Sequence, residues 1–189
     1  EKGVAPDPSK GAAIDAFTVD KMKTKRDVKV FLHTIGYMRK FIKNFSKVAA
    51  PLSKYMKKDV KMPAYLKGDT EARDAFYELR DRLKTAPILS YPDASLPWEV
   101  HCDGSLKGLG AVLMQRGADG HARVIAYASR SLKGATPKNP HGGEHSYFSY
   151  ELECLAIVWA LTVWKIHLLG RKFKVFSDHS ALQKLPERM

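Results

Sequence analysis

Apolar residues follow one rhythm in the first half of this chain and another in the second. Phe31, Leu32, Ile35, Met38, Ile42 and Phe45 recur every three or four positions, which is the stripe of an amphipathic helix. Arg39, Lys40, Lys43 and Lys47 fall between them, so the opposite face is basic. Thr24-Lys25-Arg26-Asp27 has the spacing of a capping box and predicts the start of that helix. Ala50-Pro51 is expected to break or restart it, and Leu52, Tyr55 and Met56 to add a further turn or two. Residues 1–20 read as an irregular lead-in, with Pro6 and Pro8 as breakers and Gly11 nearby. After a loop around 63–68, Ala72, Phe76, Leu79 and Leu83 predict a second amphipathic helix over 70–85.

Beyond Pro87 the pattern changes to short apolar runs. Residues 98–102, 109–115 and 123–129 read as strands, with Asp119-Gly120 as a turn between the last two. Gly108 and Gly110 suit a tight reversal between the first two. Residues 134–143 form a polar loop rich in Pro and Gly. A helix over 149–169 carries Leu155, Ile157, Val158, Trp159, Leu161, Val163 and Trp164 on much of its surface, so it is expected to be buried, and Gly170 ends it. Residues 172–177 read as a strand, and 179–185 start another helix. The order βββ–α–β predicts an α/β fold: an antiparallel three-strand meander, a crossover helix and a returning parallel strand in one mixed sheet. A small helical basic region precedes it.

Charge sharpens the division. The 189 residues carry a net charge of +12. Residues 1–90 hold 20 Lys and Arg against 11 Asp and Glu, and the span 21–61 holds 13 basic residues against only Asp27 and Asp59. Such a block favours a polyanionic partner, nucleic acid or a nucleoprotein surface, although a solvated helix face has the same composition. No apolar run approaches the ~20 residues of a membrane span. Cys102 and Cys154 have neither disulfide-framework nor C-x-x-C spacing and read as two reduced, buried thiols of an intracellular protein. The sequence opens on Glu1 and not on a Met, which suggests a piece of a longer protein or a processed product.

Three carboxylates stand out by position. Asp103 follows the first strand directly, Glu153 lies near the start of the long helix, and Asp178 follows the last strand. A charge at the end of a central strand is costly unless a cation compensates it. Three acids from adjoining elements would make an all-oxygen site suited to Mg²⁺ or Mn²⁺. Each also has a plainer reading, since Asp178 could cap the next helix and Glu153 could favour a helix N-terminus.

The stretches Pro97-Trp-Glu-Val-His-Cys-Asp-Gly-Ser105, Gly108-Leu-Gly-Ala-Val-Leu-Met-Gln115, Ile125-Ala-Tyr-Ala-Ser-Arg130, Glu151-Leu-Glu-Cys-Leu-Ala-Ile-Val-Trp-Ala-Leu161, Leu168-Leu-Gly-Arg-Lys-Phe173 and Ser177-Asp-His-Ser-Ala-Leu182 resemble the ribonuclease H domain of gypsy-class long-terminal-repeat retrotransposon reverse transcriptases. Tyr37-Met-Arg-Lys-Phe-Ile-Lys-Asn-Phe-Ser46 and Ala49-Ala-Pro-Leu52 resemble that family's thumb. Ala75-Phe-Tyr-Glu-Leu79 and Ala86-Pro-Ile-Leu89 resemble its connection segment. The resemblance implies a thumb-like basic region over 1–68, a connection segment over 69–95 and a ribonuclease H-like domain over 96–189, truncated at its C-terminus. It further implies two-metal cleavage of the RNA strand of RNA–DNA hybrids. Asp103 would bridge two Mg²⁺ or Mn²⁺ ions, and Glu153 and Asp178 would each complete one coordination sphere. Glu153 is chosen over Glu151 by the Cys-Leu-Ala-Ile-Val run that follows it. Arg39, Lys40, Lys43, Lys47 and Lys54 of the basic region would hold the phosphates.

The sequence also departs from that family. Its fourth acidic ligand comes from a later helix, and this sequence stops at Met189 before such a helix or a last strand is reached; no Tyr-x-Asp-Asp polymerase motif is present. Met62-Pro-Ala-Tyr65 stands in place of an aromatic pair, residues 134–143 look inserted, and Lys165-Ile-His167 replaces Arg-His-Tyr. A second reading follows: an inactive, domesticated module serving as an RNA- or protein-binding subunit of a large nucleoprotein assembly. Of the remaining features, His141 and His145 read as solvated loop residues and His179 as either a helix start or a phosphate contact. Trp98, Trp159 and Trp164 read as core. Tyr37, Phe41 and Tyr55 are candidates for base stacking, with packing favoured for Phe41.

Overall fold

A computed structural model describes residues 3–63, 66–134 and 142–178. The chain divides into two compact units, 1–89 and 90–189.

The first unit is helical. Strand β1 (Gly3–Val4) pairs with β2 (Leu89–Ser90) in a two-stranded sheet. Between them run α1 (Pro8–Asp15), α2 (Lys25–Gly36), α3 (Phe45–Ser53) and α4 (Thr70–Lys84). The expectation of an irregular lead-in over residues 1–20 is corrected by α1: Asp7 accepts a bond from the Ser9 amide and Pro8 occupies the first turn, where its missing N–H is no loss. The capping box at Thr24 and Asp27 is present as expected. The single stripe from Phe31 to Phe45 is not one helix. It is interrupted after Gly36, and Asn44 adopts a left-handed conformation (φ 56°) before α3, one that Asn tolerates better than most residues. Nor does Pro51 break the chain. Helix α3 runs through it to Ser53 and then tightens into a 3-10 turn, Lys54–Met56.

Helix packing buries the predicted stripes. Phe31 of α2 lies 4.5 Å from Phe76 of α4, ring centre to ring centre, and Ile35, Ile42, Leu52 and Leu79 are fully enclosed. Phe41 and Tyr55 also belong to this core, whereas Tyr37 is 85% exposed.

The second unit is built on a four-stranded sheet in the order β5-β4-β3-β6. Strands β3 (Trp98–Ser105), β4 (Gly108–Arg116) and β5 (Ala122–Arg130) form the antiparallel meander, with an irregularity between Leu113 and Met114. Helix α5 (Ser149–Val163) and the short α6 (Lys165–Leu168) cross over to β6 (Phe173–Phe176), which lies parallel to β3. The mixed α/β sheet is therefore as expected. The crossover helix differs in two respects. It breaks at Trp164 (φ −104°, ψ 21°), whose side chain is buried in the core. It is also not buried all round: Leu152, Ala156 and Ala160 face the sheet, while Val158, Val163 and Ile166 are exposed. Trp98 and Trp164 are core and Trp159 packs against it, as the apolar pattern suggests. Most of the 134–143 loop, and the helix expected over 179–185, lie outside the described residues.

A local charge cluster pins α4 at its start. The Asp69 carboxylate accepts the Ala72 amide at the helix N-terminus, pairs with Lys54 at 2.5 Å and accepts the Tyr55 hydroxyl. Burial alone would raise its pKa, but the Lys54 ammonium and the Tyr55 hydroxyl hold it down at about 2. A carboxylate whose folded pKa is depressed stabilises the fold above its ordinary value, and that contribution is lost as pH falls through the folded one. Thermal melts of the chain should therefore lose stability between about pH 4 and pH 2 by something on the order of 1 kcal/mol after solvent screening. Asp69→Asn, which keeps an N-cap but removes the charge, should lower the melting temperature at pH 7 and flatten that acid limb.

Candidate active site

Strand alternation separates the residues of β3 into two faces. Trp98, Val100 and Cys102 pack into the core under α5, and Glu99, His101 and Asp103 alternate with them. The parallel register sets Trp98 beside Phe173 and His101 beside Phe176. Continued by two residues, it carries Asp103 and Asp178 to the same end of neighbouring strands. Both aspartates are exposed.

Glu153 comes to that end from the helix. Residue 104 is a glycine, and an added Cβ there would lie 2.2 Å from the Leu152 carbonyl oxygen and 2.9 Å from the Glu153 nitrogen. Only a residue without a side chain lets the backbone of α5 approach β3 this closely. The approach brings the Glu153 carboxylate onto the strand ends. One of its oxygens accepts the Gly104 amide at 3.0 Å and the other accepts the Ser177 hydroxyl at 2.9 Å. Glu153 thus bonds to the residue after Asp103 and to the residue before Asp178. Glu151, two positions earlier, plays a different part, because its carboxylate accepts the Phe148 amide and caps α5.

The three carboxylates share one end of the sheet, but their oxygens are not gathered. Among the described residues no three His, Cys, Asp or Glu side chains come together closely enough to hold a metal ion as they stand. The donor set nevertheless fits a hard divalent cation. Glu153 is only 4% exposed, and its hydrogen-bond partners among the described residues are two neutral donors. The other two buried glutamates of this unit each meet an arginine. Glu99 is gripped by Arg116 through both oxygens, at 3.0 and 3.2 Å, and Glu144 by Arg130 at 2.5 and 3.0 Å. The Arg116 bond holds the Glu99 pKa below the usual carboxylate range against the effect of burial, with a smaller contribution from His101. Burial, together with the Glu153 charge, pushes the Cys102 thiol up to about 12, so it is neutral at physiological pH. Both cysteines are free, and Cys154 is only half-buried.

Three features beside this site go beyond the sequence reading. His101 bonds to Glu99 and stacks on Phe176, with ring centres 4.4 Å apart. Its signal is present in the alternation of Glu99, His101 and Asp103. Ser177 adjoins Asp178 and carries no pattern of its own. The Glu144–Arg130 pair, joined by the Lys133 amide, depends on a loop closure that no local spacing announces. Among the proposed phosphate-binding residues, Lys43 and Lys47 are exposed, Lys40 lies over the Phe41 ring, and Arg39 lies over the Phe45 ring and reaches Ser46. Lys54 is engaged by Asp69. His179 is outside the described residues, and His145 sits in a 3-10 turn, Glu144–Ser146.

Residues 69–175 match the model of the RNase H-like domain found in reverse transcriptase. The chain belongs to this family. Full-length relatives agree with the gypsy-class resemblance. The chain is 35% identical over 183 residues to the retrovirus-related Pol polyprotein from transposon 297 of Drosophila melanogaster, covering 97% of this chain and 16% of the relative. It is 35% identical over 189 residues to that from transposon gypsy of the same organism, covering 95% of this chain and 17% of the relative. The chain therefore spans about a sixth of the length of these curated relatives. Its fold is also that of the foamy viral protease–reverse transcriptase dRH solved in complex with double-stranded DNA, with TM-score 0.69 and 21% identity over 98% of this chain and 31% of that one. The foamy viral enzyme solved with an RNA/DNA hybrid matches with TM-score 0.67 and 20% identity over 95% of this chain and 23% of that one. Among the described residues of this RNase H-like chain, no helix is long and apolar enough to cross a membrane.

The closeness of α5 to β3 makes Gly104 the critical small residue of the site. Gly104→Ala sets a methyl group against helix backbone, which cannot swing aside as a side chain can. The cost should exceed about 2 kcal/mol. Urea unfolding followed by fluorescence reads the second unit directly, because Trp98, Trp159 and Trp164 all belong to it. A variant as stable as the parent would mean that α5 does not pack as described.

Proposed function

We propose that this chain hydrolyses the RNA strand of RNA–DNA hybrids as the ribonuclease H portion of a retrotransposon-type reverse transcriptase. Asp103, Glu153 and Asp178 are its metal-holding and catalytic residues. The observation that carries the reading is the Glu153 carboxylate: buried, without a side-chain cation among the described residues, and bonded to the neighbours of both aspartates. Family membership supports it, as does the likeness in fold to a foamy viral enzyme solved with an RNA/DNA hybrid.

Bound Mg²⁺ or Mn²⁺ ions, two when the site is full, would supply positive charge at the scissile phosphate and a water acidified toward neutral pH. The protein residues do the rest. Glu153, fixed by two hydrogen bonds, offers a preoriented carboxylate. Asp103 and Asp178 are exposed at neighbouring strand ends; Asp103 would be the residue shared between two ions, and Glu153 and Asp178 would each complete one set of ligands. Arg39, Lys40, Lys43 and Lys47 hold the duplex through its phosphates, a contact that reads shape and not sequence. Lys54, paired with Asp69, contributes less. Two free thiols suit an intracellular setting.

The decisive assay incubates the 189-residue chain with a labelled RNA–DNA hybrid and Mg²⁺ or Mn²⁺, beside Asp103→Asn. Metal-dependent cutting of the RNA strand is expected, reduced about a hundredfold or more in the variant, since even outer partners of metal ligands cost ~10–100-fold. Tight hybrid binding without any cutting would replace this reading with the inactive module of a larger nucleoprotein assembly. In the binding reaction itself, affinity should fall steeply with salt. Neutralising Lys40, Lys43 and Lys47 together should lower the slope of log affinity against log salt by roughly one for each phosphate they neutralise. An unchanged slope would remove the basic helix face from the interface.

A further inference from the structure

The hydrogen bonds of Glu153 differ in kind from those of the other buried glutamates. Glu99 and Glu144 are held by arginine forks, which fix a carboxylate and neutralise it together. Glu153 is held by two neutral donors, with no cation bonded to it among the described residues. Its bond from the Gly104 amide comes from a strand whose position is set by the sheet. With that bond alone the carboxylate could still rotate about its terminal torsion, a broad and soft one. The Ser177 hydroxyl, 2.9 Å from the second oxygen, removes that freedom. Among the described residues each oxygen accepts one hydrogen bond, which leaves each a further lone pair.

We infer that Ser177 is a positioning residue: its hydroxyl locks the orientation of the Glu153 carboxylate and so prepares it to bind a divalent cation. This rests on the metal-dependent reading above. Ser177 acts by geometry, reaching Glu153 from the end of β6 while Gly104 reaches it from β3. The carboxylate thereby ties together the two strand ends that carry Asp178 and Asp103. An alanine at 177 would keep the strand and remove the lock, a cysteine would keep the size but donate weakly, and a threonine would keep the hydroxyl.

Mn²⁺ binding to the folded 189-residue chain, measured by calorimetry without nucleic acid, tests this directly. Ser177→Ala and Ser177→Cys should weaken Mn²⁺ binding by about tenfold, the low end for outer partners of metal ligands. Ser177→Thr should stay within about twofold of the parent. Melting temperatures are recorded alongside, because a purely structural hydroxyl would lower stability and leave the affinity of the folded chain unchanged. Should the alanine variant fail to fold, the cysteine and threonine variants make the same comparison. Parent-like affinity in the alanine or cysteine variant overturns the positioning role and leaves the metal reading standing. A threonine variant as weak as alanine overturns it too, since the hydroxyl would then not be what matters. If the parent chain itself binds no Mn²⁺, the metal reading fails and this inference fails with it.

Discussion

The second unit depends on one close approach, that of the first turns of α5 against the end of β3. The missing side chain of Gly104 permits it, and the bond from the Gly104 amide to Glu153 fixes its depth. Everything chemical about the site follows from that depth. A helix held farther out would leave Glu153 in solvent, where a carboxylate is ordinary. Held where it is, the group is desolvated, and a desolvated carboxylate must be bonded, paired or protonated. Among the described residues two neutral donors, the Gly104 amide and the Ser177 hydroxyl, meet the first requirement.

The two units separate two physical roles. The first gathers cations on short helices whose apolar stripes close on Phe31, Ile35, Phe76 and Leu79, so its basic residues are left at the surface. In the second, two arginines are committed to buried glutamates: Arg116 binds Glu99, and Arg130 binds Glu144 and also lies over Trp159. A long-range electrostatic field therefore belongs mainly to residues 1–89, and precise local geometry to residues 90–189. Attraction of a polyanion needs only the former, and it works at low specificity. Chemistry on one phosphate needs the latter.

Much of this is legible in the residues. The meander, the crossover helix and the parallel return follow from strand runs, turn signals and one long apolar helix, because period and turn chemistry act locally. The distinction between Glu151 and Glu153 comes from a motif, and the structure gives it a physical content: one caps the helix and the other is buried at the sheet. What cannot be read depends on contacts between distant segments. The break after Gly36 interrupts a stripe whose spacing is unbroken, since Phe41, Ile42 and Phe45 reach the same core from a turn as well as from a helix. The exposed side of the crossover is hidden from sequence because Val158 and Val163 of α5 and Ile166 of α6 look like core by composition alone. Pro8 has the look of a breaker, yet preceded by Asp7 it is a helix start. The pairing of Ser177 with Glu153 spans 24 positions, and nothing in either segment alone points to the other.

The lack of an arginine at Glu153 among the described residues is the more informative for occurring in this chain. Cations are plentiful here, 32 Lys and Arg against 20 Asp and Glu, and the same unit twice solves the problem of a buried glutamate by placing a guanidinium on it. In those two pairs both oxygens are bonded to a fixed positive charge, so each carboxylate is already neutralised by its arginine. At Glu153 the fold supplies hydrogen bonds of the strength that orients a carboxylate while no described side chain neutralises it. A divalent ion held with Asp103 and Asp178, as proposed above, would supply that compensation. The two exposed aspartates at the neighbouring strand ends add negative charge to the same locality, which deepens the attraction for a small cation and makes a bare, water-filled site progressively more costly.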